Sequence, residues 1–319
     1  MLKLLSALVK TSFVAAALLL PTIPASATPY SEIYVFGDSL VDAGNIGIVS
    51  PGTPPGAAGY FNGRFTNGPV YTDLLYQARF GSYMAPSLAG GTNYAFGGAR
   101  AVDNSGYPSG GDQIPDLAAQ LDLYAMNSGG TADSGALYII NIMGNDVFAV
   151  MNGNTNGLDP TAYAAQVAAV MAEQIQRLHD MGARHILLTG VPNADIPEAF
   201  LMQALLDSAL DGLLLETELM TYSYLDLFTR ILADPTSVGL PAGIDMETPC
   251  LVGETPSPDI DCTGYFFFDG THPTAALHEI LAREIGALTG ITEVSEPAAL
   301  ALMGFGLAAL ALGGRRRRA

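Results

Sequence analysis

The sequence predicts an α/β fold, a parallel sheet covered by helices on both faces. Two mostly apolar runs carry that expectation, each closed by glycine, as suits strands buried on both faces. They are Ala136 to Met143, between Gly135 and Gly144, and His185 to Thr189, closed by Gly190 and Pro192. Between them Thr161 to Met181 has helical spacing and ends at Gly182, a favourable C-cap residue. Strands and helices alternating in this way build parallel sheets.

Taken in order, Ser31 to Gly37 supplies a first strand with Ile33, Tyr34, Val35 and Phe36, and breaks into Gly37-Asp38-Ser39. Such an ending places a hydroxyl at the C-terminal edge of a sheet, where open α/β folds bind ligands. Alone, the tripeptide is ordinary loop sequence. Pro51 to Gly68 and Asn104 to Gln113 read as long loops, the kind of segment that carries binding specificity beside a sheet edge. Pro197 to Met220 reads as a helix apolar on one face, Tyr222 to Asp226 as a further strand with a short helix through Ala233, and Ala275 to Leu288 as a last helix after Pro273. The chain has no internal repeat and no clear linker, so its middle is one domain.

The 319-residue chain carries a net charge of −18. Lys3, Lys10 and the terminal run Arg315 to Arg318 hold six of its 13 basic residues, leaving seven arginines against 31 acidic residues elsewhere. That surface repels nucleic acid and anionic headgroups. The two ends differ from the rest. Met1 to Ala27 has a basic start, an apolar run from Phe13 to Leu20 and the small-residue site Ala25-Ser26-Ala27, the anatomy of a secretory signal. Export makes a disulfide between the two cysteines, Cys250 and Cys262, the favoured state over free thiols. It is worth about 3 kcal/mol in the chain-entropy model.

At the other end Ser295-Glu296-Pro297 precedes an apolar run, Ala298 to Gly314, and then the four arginines. The run is at the short end of what spans a bilayer, with the arginines on the cytoplasmic side. This arrangement resembles the PEP-CTERM sorting signal of Gram-negative bacteria, with Ser-Glu-Pro where Pro-Glu-Pro is usual. The resemblance implies handling by an exosortase, with cleavage near the motif and release or surface attachment. A plain membrane anchor is the simpler alternative. The expected division is a signal peptide over 1–27, a catalytic domain over 28–292 and a sorting segment over 293–319. The protein is then exported, secreted or at the cell surface, and meets the inner membrane only through its C-terminal segment.

Hydrolysis through a serine needs a base, a group that orients the base, and donors for the oxyanion. Of the four histidines, His179 and His185 flank a turn into a strand and His278 lies in the last helix. His272 stands in Asp269-Gly270-Thr271-His272-Pro273, where an Asp three residues ahead can orient the imidazole. Asn93 to Ala99 ends in the pair Gly97-Gly98, and Gly144-Asn145-Asp146 follows a buried strand. A serine, a glycine amide and an asparagine amide at the ends of different strands are the parts of an oxyanion hole. A metal site from Asp269, His272 and His278 is the competing reading. It has only two ligands in one motif, so none is expected.

Gly37-Asp38-Ser39-Leu40, the glycine block, Met143-Gly144-Asn145-Asp146 and Asp269-x-x-His272 in that order resemble the GDSL lipase/esterase family of SGNH hydrolases. Met143 stands at the family's usual first glycine. Arg64 to Pro69 and the cysteine loop are similar to the branch of plant GDSL esterases and bacterial phospholipase-like haemolysins. The resemblance runs from Ile33 to Leu288. It implies a flavodoxin-like three-layer α/β/α sandwich around a parallel sheet of about five strands, in keeping with the alternation. It further implies Ser39 as nucleophile, His272 as base and later acid, Asp269 as its orienting group, and no cofactor. The oxyanion donors would be the Ser39 amide, a glycine amide (Gly97 in preference to Gly98) and the Asn145 side chain. Asp38, Asp42, Asn45 and Asp146 are read as loop-shaping residues. The implied substrate is a carboxylic ester, of a lipid or an acylated glycan. Polysaccharide deacetylation, phospholipase or acyltransferase activity are alternatives on the same fold, and a surface binding protein without catalysis is the alternative of another class.

Overall fold

The computed structural model describes residues 30–291 apart from 52–54, 105–113, 193–195, 254 and 258. The expected signal segment, the C-terminal apolar run and most of the loop from Asn104 to Gln113 lie outside the described residues. Four strands, β1 (Ile33–Gly37), β2 (Leu137–Asn141), β3 (His185–Thr189) and β4 (Glu218–Tyr222), pair in parallel in chain order. A fifth position is filled by the extended segment 92–96. Its Thr92 carbonyl accepts from Val35 N–H, and the Tyr94 and Phe96 amides donate to the Val35 and Gly37 carbonyls. Asn93 bridges Val35 in parallel. The sheet of about five strands is thus four regular strands and one short edge segment.

Alternation along each strand sorts side chains onto two faces. Phe36, Tyr138, Ile140, Ile186 and Leu188 pack under α3 (Leu117–Ser128), α5 (Pro160–Met181) and α6 (Pro197–Leu210). Ile33, Val35, Leu137, Ile139 and Leu187 pack under α2 (Tyr71–Phe80), α7 (Tyr224–Ala233) and α9 (Ala275–Thr289). These layers make an α/β/α sandwich, with the short helices α1 (Asn45–Val49) and α8 (Cys250–Gly253) in its connections. Gln120 of α3 fixes the end of β1, accepting from Gly37 N–H at 2.8 Å and donating to Gly37 C=O at 2.9 Å.

The long helix expected from Pro197 to Met220 ends at Leu210, and the next strand begins at Glu218, four residues before the expected Tyr222. Asp211-Gly212 ends the helix, while the leucines that follow continue its apolar spacing in loop conformation. Ser223 then accepts from Asp226 N–H and caps α7, so Tyr224 to Asp226 is helix rather than strand. Among the described residues no helix is long and apolar enough to cross a membrane.

Candidate active site

Three chain segments converge at the C-terminal edge of the sheet. The first is the turn after β1. Asp38 N–H donates to Asn141 C=O of β2, and its Oδ1 accepts from Leu40 N–H at 3.0 Å, leaving Ser39 at the crest. Asp42 lies below. Its Oδ1 accepts from the Gly44 and Asn45 amides and its Oδ2 from Ile46 and Gly97. Asn45 donates to the Asn93 and Ala95 carbonyls, tying this turn to the edge segment. These contacts shape the loop, as expected of both residues.

The second segment follows Phe268. Phe268 N–H donates to His272 C=O at 2.7 Å, closing a tight loop over Asp269 and His272. Asp269 Oδ1 accepts from the backbone amides of His272 at 2.7 Å and Thr271 at 2.9 Å. His272 Nδ1 lies 2.9 Å from Asp269 Oδ2, and Nε2 lies 2.7 Å from Ser39 Oγ. With Nδ1–H directed at the carboxylate, Nε2 is the acceptor for the serine hydroxyl. Burial alone would raise the Asp269 pKa. Hydrogen bonding and charge from His272, with the two backbone amides, outweigh it and hold the carboxyl at about 2. Asp269 is therefore ionised across the whole working range.

The third segment is the start of α4 (Gly144–Met151). Met143 takes a left-handed backbone, φ 100, immediately before Gly144. A side chain there costs on the order of 1–2 kcal/mol. Met143 is fully buried in the core under α5, which offsets that strain, so the turn forms without the glycine. It delivers Asn145 to the site edge, where Nδ2 donates one hydrogen to Ala99 C=O at 2.9 Å and keeps the second. Asp146 is turned inward, accepting from Ala101 N–H and Tyr163 O–H.

The glycine pair corrects the expectation for Gly97. Its N–H is committed to Asp42 Oδ2 at 2.9 Å, so it is not free to receive an oxyanion. A Cβ at Gly97 would collide with the ring of Phe65, which itself packs against His272 with ring centroids 5.0 Å apart. Gly97 is needed for that close approach. No described residue accepts from Gly98 N–H, and Gly98 has φ +84. The same is true of Ser39 N–H. The choice depended on an Asp42 contact 55 residues away, which no local pattern announces.

Other contacts were also missing from the sequence reading. Tyr60 O–H donates to Asp269 Oδ2 at 2.9 Å. Thr66 Oγ donates to Pro273 C=O and Asn67 Oδ1 accepts from Ala275 N–H, holding the start of α9 beside the loop. The Arg64 to Pro69 block was the available signal. The cysteines are joined, Cys250 to Cys262, with Cα atoms 5.5 Å apart. The Cys250 and Leu251 amides donate to the Phe267 and Phe268 carbonyls, bracing the segment that enters the loop. His278 faces away from the pair. It is buried, accepts from Tyr71 N–H, and is pushed down to about 3 by burial and by the charge of His272. Among the described residues no three His, Cys, Asp or Glu side chains gather as a metal site.

Two family models match the chain. One, GDSL-like Lipase/Acylhydrolase, covers residues 33–285, and the other, the PEP-CTERM protein-sorting motif, covers 293–318. A region of 169 residues is 33% identical to Lipase 1 of Photorhabdus luminescens, spanning 53% of this chain and 23% of that protein. Acetylajmalan esterase 2 of Rauvolfia serpentina is 28% identical over 51% of this chain and 53% of its own length. The chain thus covers from a quarter to half of the length of these two relatives. A GDSL esterase/lipase of Arabidopsis thaliana is 29% identical over 79% of this chain and 85% of its own.

Proposed function

We propose, from the premise that the chain belongs to the GDSL-like lipase/acylhydrolase family, that it is an exported serine esterase. The observation that carries this reading is the unbroken chain Ser39 Oγ, His272 Nε2, His272 Nδ1, Asp269 Oδ2, with links of 2.7 and 2.9 Å. His272 takes the proton as Ser39 Oγ attacks the ester carbonyl, and Asp269 steadies the imidazolium. The negative charge forming on the carbonyl oxygen is received by the amides of Ser39 and Gly98 and by the second Nδ2 hydrogen of Asn145. His272 then protonates the departing alcohol, leaving an acyl group on Ser39. Water, deprotonated by His272, attacks that ester, and Ser39 is restored. The residues in the cycle supply nucleophile, base and donors without a cofactor.

The sorting motif at 293–318 supports an exported chain handled by an exosortase-type enzyme. The corresponding division is a signal peptide over 1–27, a hydrolase domain over 28–292 and a sorting segment over 293–319. The same motif favours one second reading, deacetylation of a surface polysaccharide, because such tails accompany exopolysaccharide systems. The test is hydrolysis of p-nitrophenyl esters by the full chain and by Ser39→Ala. The proposal predicts turnover by the parent alone, with the variant folded. Equal turnover by both would overturn it.

A further inference from the structure

A cavity of about 90 Å³ opens beside Ser39 and His272 and runs along the face of α9. One wall is Leu277 and Leu281, one turn apart on α9 and both buried. Tyr224 and Phe228, one turn apart on α7, also line it. Phe266 and Phe267 complete it, with Phe228 edge-on to Phe266 at 5.6 Å between centroids. Leu281 is six residues into α9, so the wall extends roughly 9 Å from the start of that helix beside the catalytic loop.

We propose that this cavity is the acyl pocket of the site, taking a short unbranched aliphatic tail, with Leu281 at its far end. The proposal rests on the esterase reading and gives its substrate class. A sugar ring buried between these walls would leave most of its hydroxyls without hydrogen-bond partners. Away from the reacting groups, the polar side chains that line the cavity are Asp38, Thr271 and Tyr224, whose hydroxyl is committed to Asn141 Oδ1. Among the described residues no Lys or Arg lines it, so a carboxylated or phosphorylated acyl group finds no counter-charge. An acetyl group would leave most of the apolar wall uncovered.

Size sets the length. An apolar cavity of about 150 Å³ accommodates benzene, so 90 Å³ has room for about three or four tail carbons beyond the carbonyl. Each methylene that enters apolar surroundings should raise kcat/KM by about threefold to fourfold until the pocket is full. Longer tails must leave through the mouth and gain nothing further.

The test is kcat/KM for p-nitrophenyl acetate, butyrate, octanoate and laurate with the full-length chain. The expected profile rises about tenfold from acetate to butyrate and gains nothing further from butyrate to octanoate and laurate. Leu281→Ala lengthens the pocket and should move the optimum toward octanoate. Phe228→Ala widens it from the half-buried wall, and keeps the test open if Leu281→Ala does not fold. Acetate as the best substrate, or an optimum that neither folded variant moves, overturns the pocket while leaving a Ser39-dependent esterase standing. Absence of Ser39-dependent hydrolysis of every ester overturns both.

Discussion

Tyr60→Phe isolates one hydrogen bond at the Asp269 carboxylate. The phenyl ring keeps its edge contact with Phe268, 4.9 Å between centroids, so the variant loses the hydroxyl and little packing. Asp269 Oδ1 retains the backbone amides of His272 and Thr271, whereas Oδ2 is left with His272 alone. A hydrogen bond to an ionised group contributes about 1.5–3 kcal/mol. The half-buried position of Tyr60 places this one at the low end, and His272 recovers part of it through a stronger pair with Oδ2. The residual, about 1 kcal/mol, corresponds to a fall in kcat/KM of roughly fivefold. Because Oδ2 now serves His272 undivided, the acid limb of the pH–rate profile should also move to higher pH. Rates on p-nitrophenyl butyrate across a pH series measure both effects. A variant within twofold of the parent at every pH, with no movement of the limb, would refute a positioning role for Tyr60.

Asn145→Ala removes the proposed oxyanion donor and should lower kcat by about 10²–10³-fold with the melting temperature nearly unchanged; a loss under tenfold would remove Asn145 from the site. Cys250→Ser with Cys262→Ser opens a loop with Cys separation 12 and should cost about 3 kcal/mol in denaturant unfolding, a gain or no change contradicting the bracing role. Asp38 is raised to about 7, by burial first, against the Leu40 amide and the charge of His272. The folded state therefore holds this proton more tightly than the unfolded chain, and the parent loses stability as pH rises from the ordinary carboxylate range to 7. Asp38→Asn removes that loss, on the order of 3 kcal/mol between pH 4 and pH 8, and should flatten this part of the stability curve. Unfolding titrations at the two pH values decide it. Asp42 and Asp146, raised by burial to about 6, share the direction and remain in the variant.

Parts of the site visible in the sequence sit at strand ends. Ser39 follows β1 and Asn145 follows β2, and buried strands with glycine at their ends are legible from composition alone. Asp269 and His272 were legible because orientation of the base is local, three residues apart. Contacts across long separations were not. Tyr60 reaches Asp269 over 209 residues from a Gly- and Pro-rich loop with no periodicity to read. The Gly97 amide was misassigned because its acceptor, Asp42, belongs to another turn. The boundary between α6 and β4 failed for a different reason: leucines after Gly212 extend the helical spacing past the point where the backbone has left the helix.

Ser39 as the nucleophile, armed by His272, is tested most directly by the mass of peptides from the full chain after exposure to a fluorophosphonate probe. One phosphonylated peptide carrying Ser39 is expected, with severe loss of the adduct in His272→Ala. An adduct on another residue, or ester turnover that persists with Ser39 unlabelled at saturating probe, would contradict it.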